Sequence, residues 1–252
     1  MDAVPFSAHN VNTRISAIDG SFVLPDGSKV TWGLSRREFG PMSFKDRPEW
    51  DVAHNRMQFL RLFDLKIDDV ISPHLQHTAT VIPVTAKDAR KGARELSSVP
   101  GIGDALATSD AGIVLLTTHA DCMPVWLCAP ASGWIGIAHV GRRGLLRGIL
   151  VNLVDTIPET ERDGITLAIG PGICREHYDV STEIAKEFRS DKLLSSIVIE
   201  NENRFYLDLR RGVELQAQAA GVRVPAVHDR GVRTLLVEDG GRVLLDLSLI
   251  HI

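Results

Sequence analysis

The 252-residue sequence has little of what would place it in a special class. Cysteine is scarce. Cys122, Cys128 and Cys174 are an odd, widely spread set, which excludes a disulfide framework. No apolar run approaches the ~20 residues needed to cross a bilayer, so no membrane span is expected. No basic excess exists either: 28 Lys and Arg face 32 Asp and Glu, a net charge of -4, and nucleic acid is not an expected partner. The opening MDAVPFSAHN lacks the basic and apolar regions of a signal peptide, and the expected compartment is the cytoplasm. There is no internal repeat and no low-complexity block. What is present is 44% hydrophobic residues, enough for the core of one large domain.

Periodicity predicts mixed α and β structure. Residues 14–33 read as a β-hairpin turning at LPDGS, because Asp-Gly suits a tight turn between β-prone runs. Residues 50–64 carry Val52, Met57, Leu60 and Phe63 at helical spacing. Strands are predicted at 81–86, 113–118, 134–140 and 165–173, a loop at 96–106, and helices at 143–157, 182–190 and 209–222. Pro124 argues against one uninterrupted strand through the apolar stretch around it, and Gly221 suits the residue just beyond a helix end. The fold expected is α+β, layered, around a large mixed sheet in a single domain.

Chemistry gathers at the predicted strand ends, where such folds place their sites. Cys122 follows one strand, His139 ends the next, and His77 precedes another. Two readings are open for these three residues. One is a zinc site of three protein ligands with an exchangeable position. The other is a Cys–His nucleophilic pair. Taken singly, Cys122 reads equally as a small buried hydrophobe and each His as a polar loop residue.

The segments QHTATV, GDALATSDAGIVLLTTHADCMPVWL, GIAHVGRRGLLRGIL and AIGPGICREHYDV, together with HNRMQFLRLF upstream, stand in the order and spacing of a known family. Across residues 30–222 the chain resembles the YfiH-like family, also called multicopper polyphenol oxidoreductase laccase, peptidoglycan editing factor or purine nucleoside phosphorylase. The resemblance implies an α+β fold of the CNF/YfiH-like type with a metal site at His77, Cys122 and His139. It also implies zinc as cofactor, with copper as the other metal attributed to the family. The implied activity is phosphorolysis of adenosine, inosine or methylthioadenosine, with adenosine deamination beside it. The substrates are then a purine nucleoside and phosphate, and the catalytic residues Cys122, His139 and Arg143. Arg143 is either an anion-binding residue at a helix start or a solvated charge. Arg56 is a second candidate for the substrate. Asp121 either orients a ligand or accepts buried backbone N–H groups. Asp104, Thr108 and Tyr178 either shape the pocket or serve the fold, and Cys128 and Cys174 are expected to have no chemical role. His119, three residues from Cys122, either approaches the metal or pairs with Asp121; on an extended segment i and i+3 face opposite sides, which favours the second.

Three ligands make one mononuclear site, which speaks against a multi-copper laccase. Two further alternatives are a Cys122–His139 hydrolase that edits wrongly amino-acylated cell-wall precursors and a degenerate nucleoside binder. The chain departs from the family pattern at Arg142, where the motif carries Trp, and at the C-terminus, where Arg233-Thr234 replace the usual Cys-Thr. The final LSLIHI matches the translation of a common sequencing adapter. Residues 1–246 are therefore expected to be the domain, truncated at its C-terminus, and residues 247–252 an adapter-derived tail.

Overall fold

The computed structural model describes residues 18–162, 164–222 and 248–251. A first five-stranded sheet is built from β1 (Ile18–Val23), β2 (Lys29–Leu34), β3 (Val70–Ile71), β6 (Val114–Thr117) and β13 (Ser248–His251), in the order β1-β2-β13-β6-β3. A second contains β4 (Val81–Pro83), β5 (Ala105–Thr108), β7 (Met123–Ala129), β8 (Trp134–Val140) and β9 (Thr166–Ile169), in the order β4-β5-β8-β7-β9. Each has one parallel pair, β3 with β6 and β4 with β5, among antiparallel neighbours. A small third sheet orders β10 (Asp179–Val180), β12 (Arg204–Leu207) and β11 (Val198–Asn201). The helices are α1 (Glu49–Leu60), α2 (Arg142–Leu146), α3 (Ile149–Val154), α4 (Thr182–Ser190) and α5 (Leu209–Ala219).

The period-2 alternation of side chains explains the layering. In β6, Leu115 faces the second sheet while Val114 and Leu116 face the other way, toward Phe59 and Leu60 of α1. In β7, Trp126 and Cys128 face the first sheet, while Val125 and Leu127 join the cluster under α2, α3 and α5. Both faces of both central strands are thus apolar, and the molecule is a four-layer α/β/β/α stack. Trp32 and Trp126 stack between the sheets with centroids 4.6 Å apart, a contact worth ~0.5–1.5 kcal/mol beyond its burial. The third sheet and α4 close one end of the helical layer through Phe188 and Leu207.

The layered α+β fold expected from the sequence is present, with its β structure divided between two mixed five-stranded sheets. The described part of the hairpin turns at Gly27, which has φ +84°; residues 14–17 lie outside the described residues. Strand 134–140 and helix 182–190 have the expected bounds. Gly221 ends α5 in a Schellman arrangement: its N–H reaches the carbonyl of Gln218, and that of Val222 reaches Ala217. Two expectations are corrected. The loop at 96–106 gives way at Ala105 to a fully buried strand, β5. The helix over 143–157 is two short helices, broken at Gly148, whose φ of +76° no continuous helix permits. The backbone of Ser248–His251 pairs with both β2 and β6. Arg233-Thr234 lie outside the described residues.

Candidate active site

The chain passes from the first sheet to the second between Thr117 at the end of β6 and Met123 at the start of β7. This crossing segment carries Thr118, His119, Asp121 and Cys122. It is pinned from the side by the N–H of Ile173, which donates to the Asp121 carbonyl at 2.8 Å. In the register of β7 and β8, Met123 stands opposite Val140 and Pro124 opposite His139. Cys122 therefore emerges beside the end of β8. Gly141 makes that approach possible: a Cβ there would stand 2.6 Å from Cys122 Sγ and 3.4 Å from His77 Cδ2. A side chain at position 141 would displace the cysteine.

His139 is buried, and its ring is oriented by the crossing segment. Nδ1 is 2.7 Å from the Thr118 carbonyl, so Nδ1 carries the proton and donates. Nε2 is then the basic nitrogen, and it is buried with no hydrogen-bond partner. His119 stacks on this ring at 4.8 Å and 20°. Its Nδ1 donates to the Cys122 carbonyl at 3.3 Å, and its Nε2 accepts from Thr117 Oγ1 at 2.9 Å. Both nitrogens are engaged, so His119 supports the site instead of supplying a ligand. Burial, with His139 alongside, pushes its pKa well below the ordinary histidine value and keeps it neutral.

His77 lies in the loop before β4 with φ +56°, a left-handed conformation rare for a side-chain-bearing residue. The carboxylate of fully buried Asp104 holds it there. Oδ1 accepts from the His77 N–H at 3.0 Å, while Oδ2 accepts from the Gln76 and Thr78 N–H groups at 3.2 and 2.6 Å and from Thr78 Oγ1 at 2.8 Å. The Asp104 carbonyl meanwhile accepts the His139 N–H at 2.7 Å. One residue thus ties together the backbones of two candidate ligands.

The outcome is that His77, Cys122 and His139 converge. Their ligand atoms all lie within 4.8 Å of one another, and the two imidazoles meet edge to face with centroids 5.3 Å apart. Among the described residues this is the one cluster of three such side chains. Exposure grades from open at His77, through intermediate at Cys122, to buried at His139, so the cluster is reached from solvent on the His77 side. The donor set fits a borderline cation: one sulfur, one imidazole with an orphaned lone pair, and a second imidazole beside it. The hydrogen bond from His139 Nδ1 to a carbonyl is the usual outer support of a metal-ligating histidine. Burial, then the carboxylates of Asp121 and Asp104, push the Cys122 thiol up to about 12.

The remaining candidates are dispersed. Arg56 is 2% exposed, and its donors are spent on carbonyl oxygens. Nε and Nη2 reach Met42 at 3.0 and 2.8 Å, and Nη1 reaches Gly92 and Ala93 at 2.8 and 3.0 Å. Phe44 stacks 4.3 Å away, and burial lowers the guanidinium pKa to about 9. Arg56 clamps α1 to two loops, with one flank on a cavity of about 260 Å³. That cavity is also lined by Phe44, Lys45, His74, Leu96 and Thr118, whose carbonyl orients His139. Arg143 is exposed, without a side-chain partner among the described residues. Its neighbour Arg142 is half-buried and acts on Cys122 and on the Tyr178 hydroxyl. The Asp121 carboxylate lies close enough to raise both Cys122 and Tyr178. Thr108 is buried in β5 and accepts from the Asp110 N–H, a turn role. Cys128 sits between the sheets, and Cys174 contacts His177 Nδ1 at 2.7 Å, away from the cluster. The parts that sequence reasoning missed are the Gly141 contact, the inward turn of Arg142 and the cavity. Only Gly141 left a signal, as the small residue directly after the His139 strand.

Several known proteins are similar to this chain. A protein of Deinococcus radiodurans named purine nucleoside phosphorylase is 31% identical over 196 residues, which cover 75% of this chain and 72% of that one. One of Geobacillus stearothermophilus, named purine nucleoside phosphorylase YlmD, is 32% identical over 179 residues, 68% of this chain and 65% of its own length. Its crystal structure superposes with a TM-score of 0.77 at 24% identity, covering 98% of this chain and 99% of that one. A prokaryotic protein named adenosine deaminase is 29% identical over 183 residues, 68% of this chain and 67% of its own. The sequence model described as multi-copper polyphenol oxidoreductase laccase matches residues 33–239, a span that holds His77, Cys122 and His139. By that match and those relatives, the chain belongs to the YfiH-type, laccase-like family.

Proposed function

We propose that this protein is a zinc-dependent purine nucleoside phosphorylase, acting on adenosine, inosine or methylthioadenosine, with adenosine deamination as a second activity. The observation that carries the proposal is the convergence of His77, Cys122 and His139 around the orphaned Nε2 of His139. The names of the relatives supply the substrate class. His77, Cys122 and His139 would hold the metal, which when bound supplies Lewis-acid polarisation at the reacting end of the substrate. The cavity beside Thr118 offers a half-open place for a nucleoside, with Phe44 among its apolar lining residues and Ser43, Lys45 and His74 among its polar ones. In phosphorolysis a phosphate oxygen bonds to ribose C1′ as the bond from C1′ to the purine nitrogen breaks. The electron pair leaves with the base, which takes up a proton. The chain's part is to hold the two reactants in line and exclude water. Whether copper can replace zinc is a matter of loading the same three ligands.

The Cys–His hydrolase reading is less well supported. A nucleophilic cysteine needs a lowered thiol pKa, whereas Cys122 is pushed up to about 12 without a cation. The multi-copper reading would need several ligand clusters; the described residues contain one.

The raised thiol yields a pH prediction. Zinc uptake must expel the Cys122 proton, whereas His139, held below its ordinary pKa by burial, has none to give at neutral pH. Between pH 7 and 9, both below the thiol pKa, affinity is expected to rise about tenfold per pH unit from Cys122 alone. Competition against a chromogenic chelator measures the slope, and a pH-independent affinity would remove Cys122 from the ligand set. The function itself is tested by metal analysis of the purified protein and chromatography of products from adenosine, inosine and methylthioadenosine with and without phosphate. Phosphate-dependent release of free base with ribose 1-phosphate is expected. A protein that holds stoichiometric zinc and releases no base from any of the three refutes the assignment.

A further inference from the structure

Two adjacent arginines follow the His139 strand, and the fold treats them differently. Gly141 lies against Cys122 Sγ and His77, so position 142 stands at the lip of the cluster, one residue from a backbone that touches two of its members. Arg143 points to solvent. Arg142 is half-buried, and its charge bears on both Cys122 and the Tyr178 hydroxyl. Tyr178 is anchored from behind. Its ring packs against the core cluster under the helices, and its carbonyl accepts the Leu207 N–H at 3.1 Å.

We propose that the Arg142 guanidinium and the Tyr178 hydroxyl form an oxyanion subsite on the rim of the His77–Cys122–His139 cluster, where inorganic phosphate docks. The inference rests on the nucleoside phosphorylase reading for its choice of anion, and it names the residue that positions the attacking reactant. A guanidinium has five donors in a fixed fork, a geometry suited to the oxygens of a tetrahedral anion. The carboxylates of Asp121 and Asp104 both bear on Cys122, and the Arg142 charge acts there in the opposite sense. None of Arg142, Tyr178 and Cys122 lines the cavity bounded by Phe44, His74 and Thr118. The place proposed for phosphate is thus distinct from the cavity proposed for the nucleoside. A tryptophan at this position, as in the family motif, would offer no such charge.

The experiment is titration of the zinc-loaded protein with inorganic phosphate, followed by ³¹P NMR and calorimetry, in wild type, Arg142→Gln, Arg142→Lys, Tyr178→Phe and Arg143→Gln, with Arg147→Gln as the exposed control. Circular dichroism and metal content establish that each variant is folded and loaded. Arg142→Gln is expected to weaken phosphate binding about 10- to 150-fold, the loss of a charge-assisted contact. Arg142→Lys should restore part of it, Tyr178→Phe should lose a few-fold, and Arg147→Gln should match wild type. In turnover assays the KM for phosphate should rise in parallel, with the KM for nucleoside nearly unchanged. Wild-type affinity in Arg142→Gln, no phosphate binding by wild type, or a loss confined to Arg143→Gln would each overturn the subsite. Phosphate binding that depends on Arg142 in a protein that turns over no nucleoside would uphold the subsite and refute the function. Turnover with phosphate affinity insensitive to Arg142 would do the reverse.

Discussion

Replacing Cys122 with alanine is expected to give a folded protein that no longer retains stoichiometric metal and has lost nucleoside turnover. The thiol is the only sulfur donor in the cluster, and the two imidazoles left behind make a poor site for zinc. Loss of a hydrogen-bond partner behind a ligand typically lowers affinity or activity ~10–100-fold, and loss of the ligand should exceed that. Folding should survive. The side chain is partly exposed and belongs to none of the apolar core clusters, so alanine does not empty the core. Cys128→Ala and Cys174→Ala should keep their metal and turnover, since neither residue reaches the cluster. Cys128→Ala should still be less stable, because it opens a hole between the sheets. Metal content by mass spectrometry and phosphate-dependent base release decide the matter. Wild-type turnover by a metal-free Cys122→Ala protein would end the metal mechanism.

Asp104→Ala should act through the fold, and its effect should be the largest on stability among the residues near the site. The substitution leaves three backbone N–H groups of residues 76–78 without their acceptor and frees the strained φ of His77. Each charge-assisted bond of this kind is worth ~1.5–3 kcal/mol, and the four act as one unit, so a loss of about 3–5 kcal/mol is expected. Urea unfolding of the metal-free protein isolates this effect. Zinc affinity should fall as well, because the His77 loop must then be ordered at the moment of binding. Asp104→Asn should restore little, since its amide group would turn N–H donors toward N–H donors. Unchanged unfolding in Asp104→Ala would mean that the loop is held by other contacts.

Several elements could be read directly from the order of residues. The strand at 134–140 and the helix at 182–190 are bounded by strong local signals: in the first, β-prone apolar residues between a turn and a glycine; in the second, Ser181 as an N-cap whose side chain accepts from Ile184. β5 escaped because Ala-Leu-Ala-Thr has little β propensity; only burial on both faces makes it a strand. The break at Gly148 escaped because apolar periodicity continues across it, and local spacing does not record a left-handed residue.

The three candidate ligands were legible as types, by their motifs and their places at strand ends, because metal chemistry restricts which side chains can serve. Their meeting was not, because it depends on which strands pair. Register places Pro124 opposite His139, the crossing from the first sheet to the second delivers Cys122, and the Asp104 carboxylate bends the loop of His77 toward both. Arg56 and Arg143 show the same limit from the other side. A charged residue in a motif looks like a ligand for substrate, yet one is consumed by backbone carbonyls and the other faces water, while Arg142 beside it is the half-buried one. By itself the sequence determined composition, the secondary elements with strong local signals and the kinds of donor atom. The tertiary structure alone decided which side chains share a point in space, because contacts between distant residues are set by packing and strand register, and no local pattern encodes them.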